Sequence, residues 1–68
     1  MRKQDWEAVM TRVMRKDRNY QYMELVRLVA AEVDKEVSEV QGSVCYTILG
    51  NRSQRFQRVA RGTYRRIA

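Results

Sequence analysis

The chain has 68 residues, of which 44% are hydrophobic and 32% charged, with no histidine, no proline and one cysteine, Cys45. At this size only about 60% of the unfolded surface can be buried, enough for one core, so a single domain over residues 1–68 is expected, its composition globular rather than disordered and its lone cysteine unable to form an internal disulfide. The net charge of +6 is held unevenly: residues 41–68 carry six arginines and no acid, whereas residues 18–40 carry five acidic and three basic groups. A solubilising surface would interleave lysine with glutamate, so the clustering points to a polyanion partner.

Met1-Arg2-Lys3-Gln4-Asp5-Trp6 leads into an amphipathic segment without an unbroken apolar run, which fits neither a signal peptide nor a membrane span. With an unstapled small chain, this predicts an intracellular protein with no membrane partner. Asp5 is a suitable N-cap, and Trp6, Val9, Met10, Val13 and Met14 recur on one helical face, predicting a first helix over about 5–17. After the polar break Asp17-Arg18-Asn19, the alternating Tyr20-Gln21-Tyr22 reads as a brief strand or extended segment. A second helix from Met23 to about Val33 would bury Leu25, Val26, Leu28 and Val29, with Glu32 inside the stripe and so either in a frayed turn or reaching solvent.

Ser38-Glu39-Val40-Gln41 fits a capping box and predicts the start of a third helix after the acidic connector Asp34-Lys35-Glu36-Val37. That helix would turn Val40, Val44, Cys45, Ile48 and Leu49 inward, present Gly42, Ser43, Tyr46 and Thr47 outward, and stop at Gly50-Asn51. Arg55–Val59 and Tyr64–Ile67 are β-rich runs joined by Ala60-Arg61-Gly62-Thr63, a hairpin in which Phe56 and Val59 cannot share one regular face without a bulge. Phe56, Tyr64 and Ile67 are expected to pack back on the helices, since a two-stranded hairpin is marginal alone. Three helices followed by a C-terminal hairpin make an α+β, winged helix-turn-helix pattern.

Asp-Trp-Glu-Ala-Val at 5–9, Tyr-Met-Glu-Leu-Val at 22–26 and Arg-Phe-Gln-Arg-Val-Ala-Arg-Gly-Thr-Tyr at 55–64 resemble the HARE helix-turn-helix family over almost the whole chain. The resemblance implies a winged helix and either DNA binding or contact with a DNA-processing machine. A fold of that kind has many uses, so function has to be argued from the surface.

Arg52, Arg55, Arg58, Arg61, Arg65 and Arg66 line the expected exit of the third helix and the hairpin, where guanidinium groups can meet phosphates or enter a minor groove. Arg61, beside Gly62 at the tip, is the candidate for groove insertion; Arg58, Arg65 and Arg66 read as phosphate contacts. On the third helix, Ser43, Tyr46 and Thr47 could lie in a major groove, with Gln41 and Arg52 at the two ends as the side chains suited to base edges. So sparse a reading helix leaves the hairpin to dominate binding, through groove shape rather than bases.

Trp6, Met10, Met14 and Met23 have the spacing of core residues, and Tyr20 and Tyr22 are expected to pack over the first two helices. Cys45 has no partner cysteine and reads as a buried, inert thiol. Without histidine, a phosphate loop or a ligand cluster, neither an enzyme, a metal, a cofactor nor a small-molecule substrate is expected. Duplex DNA is the expected partner. The alternative is a protein-interaction module docking on RNA polymerase or another DNA-processing assembly, kept open by the acidic stretch from Glu32 to Glu39. Duplex RNA is a poorer fit, its major groove being too deep and narrow for a reading helix.

Overall fold

In the computed structural model, which describes residues 4–68, the first helix starts as its cap predicts. The Asp5 carboxylate accepts the Ala8 N–H at 3.1 Å and opens α1 (Trp6–Val13). The helix ends a turn short of the expected residue 17. Met14 is extended, Asp17 turns left-handed with φ 64°, and the backbone groups that another turn would have used are taken elsewhere. The Arg15 N–H donates to the Tyr20 hydroxyl at 2.7 Å, and the carbonyls of Thr11 and Met14 accept from the Arg66 guanidinium at 3.2 Å each. Tertiary hydrogen bonds thus replace helical ones, an override that periodicity does not report.

The brief strand is present as β1 (Asn19–Gln21), and Tyr22 opens α2 (Tyr22–Val33) instead of closing the strand. Leu25, Val26, Val29 and Ala30 face the core while Leu28 is half-buried. Glu32 reaches solvent and pairs with Arg12 at 3.0 Å, so the last turn is intact. Asp34 takes the left-handed conformation, φ 55°, and the Lys35 N–H returns to the Ala30 carbonyl at 3.0 Å, closing the helix tightly.

The third helix, α3 (Val37–Gly50), begins before the predicted box at Ser38. The reciprocal pair is Glu36 with Glu39, whose carboxylate accepts the Glu36 N–H at 2.9 Å; a glutamate is an uncommon N-cap, and serine two residues on has the better signature. Val40, Val44 and Ile48 enter the core, Cys45 is half-buried, and Leu49 is exposed, contrary to its expected inward place. At the far end Asn51, φ 44°, terminates the helix.

β2 (Phe56–Ala60) and β3 (Thr63–Arg66) form the hairpin across Arg61-Gly62, with Gly62 at φ 69°. Their register slips between Arg58 and Ala60, which is the bulge that Phe56 and Val59 require. The hairpin does not stand alone: β1 pairs with β3, Asn19 opposite Arg65 and Gln21 opposite Thr63, giving an antiparallel sheet in the order β1-β3-β2. The molecule is therefore a small α+β domain with three helices and a three-stranded antiparallel sheet, in which the brief strand joins the expected hairpin. Its core joins Met10 and Met14 to Leu25, Val44, Tyr20 and Phe56. Trp6 is half-buried against that core, whereas Met23 and Ile67, both expected inside, are exposed.

Candidate nucleic-acid interface

Directly opposed residues in an antiparallel ladder share a face. Tyr20, Tyr64, Phe56, Arg58 and Arg66 therefore lie toward the helices, and Asn19, Gln57 and Arg65 lie on the outer face. This sorting separates the six arginines. Arg66 is spent on α1: besides Thr11 and Met14 it reaches the Ala68 carbonyl at 2.7 Å, and it is half-buried. Arg65 is half-buried on the outer face, its Nε donating to Asn19 Oδ1 at 3.1 Å. Arg52, Arg55, Arg58 and Arg61 are exposed and enter no ion pair among the described residues, where the carboxylates of Glu24 and Glu32 pair with Arg18 and Arg12.

The free guanidinium groups follow the chain from the end of α3 along β2, which is an edge strand. Arg55 stands at the hairpin root, where its carbonyl accepts the Ile67 N–H at 2.7 Å, and Arg61 at the tip, where the Gly62 carbonyl accepts the Tyr22 N–H at 2.9 Å. Six residues of strand span about 20 Å. Because β1 pairs with residues 63–65 of β3 and the Gly62 carbonyl accepts from Tyr22, the tip is braced against α2 rather than projecting from the sheet.

On α3, Gln41 and Tyr46 are exposed, while Ser43 and Thr47 are half-buried. Gln41 is near the tip: its carbonyl accepts the Tyr22 hydroxyl at 2.9 Å. Burial, then the neighbouring Cys45, holds that hydroxyl's pKa above the ordinary tyrosine value, so it remains a protonated donor at neutral pH. Two grooves border the outer half of α3. One, of about 380 Å³, is lined by Trp6, Tyr46, Thr47, Gly50 and Arg52 among others; the second, of about 200 Å³, includes Leu49, Arg58 and Tyr64.

Leu49 is the residue that the sequence reading misplaced and that the surface makes prominent, at 69% exposure beside Tyr46 at 72%. The available signal was spacing. Val40, Val44 and Ile48 already complete an i, i+4, i+8 stripe, and Leu49 lies a further 100° around the helix. The acidic connector belongs to the opposite end of α3, and a helix of 14 residues puts about 20 Å between its ends. No group of histidine, cysteine or acidic residues among the described positions is arranged to hold a metal, and no helix is long and apolar enough to cross a membrane.

Comparison with family models, with curated proteins and with solved structures returned no match.

Proposed function

We propose that this chain is a winged-helix domain that binds duplex DNA, with α3 over the major groove and the β2 edge along the phosphate backbone. The order α1-β1-α2-α3-β2-β3 with a β1-β3-β2 sheet supports the winged-helix reading. The observation that carries the function is the line of exposed Arg52, Arg55, Arg58 and Arg61, without an ion pair among the described residues, in a segment without a single acidic residue. Keeping so many like charges adjacent has no structural return, whereas each can displace a counterion from a phosphate. The braced tip makes this a backbone-tracking edge. Arg61 sits beside α2 and reaches a groove only where the duplex lies close to that helix.

Fluorescence anisotropy with a mixed-sequence duplex across a salt series tests the proposal. With four or five phosphates engaged, the slope of log K against log salt should be roughly −3.5 to −4.5, at about −0.9 per contact. A variant with Arg55, Arg58 and Arg61 changed to alanine should lose most of the affinity and nearly three units of slope. Absence of binding at low salt would sink the reading. That outcome would favour the second one, a module docking on an acidic protein surface in transcription or DNA processing, for which exposed Tyr46 and Leu49 would supply apolar anchors.

A further inference from the structure

The outward ridge of α3 is unusual in what it lacks. Opposite the Val40, Val44 and Ile48 stripe stand Ser38, Gly42, Tyr46 and Leu49, without an arginine, lysine, asparagine or glutamine among them. Three carboxylates border this side: Glu39 is engaged in capping Glu36, Asp5 caps α1, and Glu7 accepts the Ser53 N–H at 3.2 Å. Such a ridge cannot make the bidentate hydrogen bonds by which guanine and adenine are read. It can make apolar contact, and the base edge that offers an apolar group in the major groove is thymine, through its C5 methyl.

Charge specifies what covers this ridge. Leu49 shares an acid-free groove with Arg58, whereas Tyr46 shares the other with Arg52 and with the carboxylates of Asp5 and Glu7; neither arginine has an ionic partner among the described residues. On the Leu49 side, an apolar strip beside a cationic rail matches a groove floor beside a phosphate strand. Gly42 agrees with this. A Cβ built there would meet nothing within 4 Å, so internal packing does not require glycine, although glycine inside a helix costs about 1 kcal/mol relative to alanine. One turn before Tyr46, its bare backbone permits close approach from outside.

Resting on the duplex-binding reading, we propose that Leu49 and Tyr46 recognise the 5-methyl group of thymine in the major groove while Arg58 holds a flanking phosphate. The domain would then prefer T-rich steps through methyl contact.

The test compares two duplexes of identical AT-rich sequence, one carrying thymine and the other uracil, by anisotropy with the full chain. Wild type should bind the thymine duplex more tightly, by roughly fourfold for each methyl contacted, the transfer free energy of one buried carbon. Leu49→Ala combined with Tyr46→Ala, both at exposed positions and checked for folding by circular dichroism, should lose that preference and keep the salt slope. Arg58→Ala should weaken binding to both duplexes equally and keep the preference. Equal, salt-sensitive binding of the two duplexes by wild type would overturn methyl recognition and leave the duplex-binding reading standing. A preference that survives the double substitution would overturn it too, since the methyl would then act through duplex shape. Binding to neither duplex at low salt would overturn both readings and assign the ridge to a protein partner.

Discussion

Arg61 and Arg66 carry the same group and are employed in opposite ways. Arg61 is exposed and unpaired, whereas Arg66 serves the C-terminal carbonyls of α1 from a half-buried position. Hydrogen bonds to a charged donor are worth about 1.5–3 kcal/mol when removal orphans their acceptors, with the lower end expected where solvent can substitute. Arg66→Ala should therefore lower stability by about 1–2 kcal/mol, a fall in Tm of roughly 4–8 °C per kcal/mol for a domain of this size. Arg61→Ala should stay within about 0.5 kcal/mol of wild type. Thermal unfolding followed by circular dichroism separates the two, and equal Tm values would show that the Arg66 contacts contribute nothing. Nothing in the run Tyr64-Arg65-Arg66-Ile67 distinguishes these roles. A guanidinium's partner is set by strand register and by a helix more than fifty residues away, so the sequence could rank arginine as a class and not Arg66 as an individual.

Between α3 and β2 the connection depends on Asn51. Its left-handed backbone ends the helix, its Nδ2 donates to the Phe56 carbonyl at 2.8 Å, and its Oδ1 accepts the Phe56 N–H at 3.2 Å. This side-chain pair substitutes for a strand partner and sets where β2 departs. Asn51→Ala should cost about 2–3 kcal/mol, combining left-handed strain with two lost hydrogen bonds, and Asn51→Gly should recover about 1 kcal/mol by relieving the strain alone. Urea unfolding of the pair checks it, and identical midpoints would mean that the backbone conformation carries no cost. The elements themselves were largely legible: apolar periodicity placed three helices, and the clash of Phe56 with Val59 required the bulge. The Glu36 cap was masked by the better signature at Ser38, and the outward turn of Leu49 was present in the spacing; what could not be read was the early end of α1, where distant groups decide. Likewise the pairing of β1 with β3 is non-local, and a three-residue strand carries too little pattern to announce its partner.

Across the whole molecule, charge is partitioned along α3. Acidic Glu36 and Glu39 stand at its start and Arg52 and Arg55 follow its end, so the domain presents a polarised surface despite its small size. Unpaired like charges repel each other in the folded state, and added salt should relieve that repulsion. Changing Arg55 and Arg58 to glutamine should accordingly leave stability unchanged or raise it by up to about 0.5 kcal/mol at low ionic strength, with the gain disappearing at high salt. A clear drop in Tm at low salt would mean that these side chains are structural and would weaken their assignment to a ligand. The sheet order has a kinetic consequence. β1 meets its partner only across a separation of 46 residues at Asn19 and Arg65, so no ladder involving it can form by local zippering. Closing so long a loop is an entropic step that falls late, after the three helices can already have formed and docked. The strand that completes this circuit also carries Arg65 and Arg66 and aligns β2 beside it. The β2–β3 hairpin is local, from Phe56 opposite Arg66 to Ala60 opposite Thr63, so the arginines can gain their spacing first, and docking of β1 is the event that fixes the basic edge against the helices.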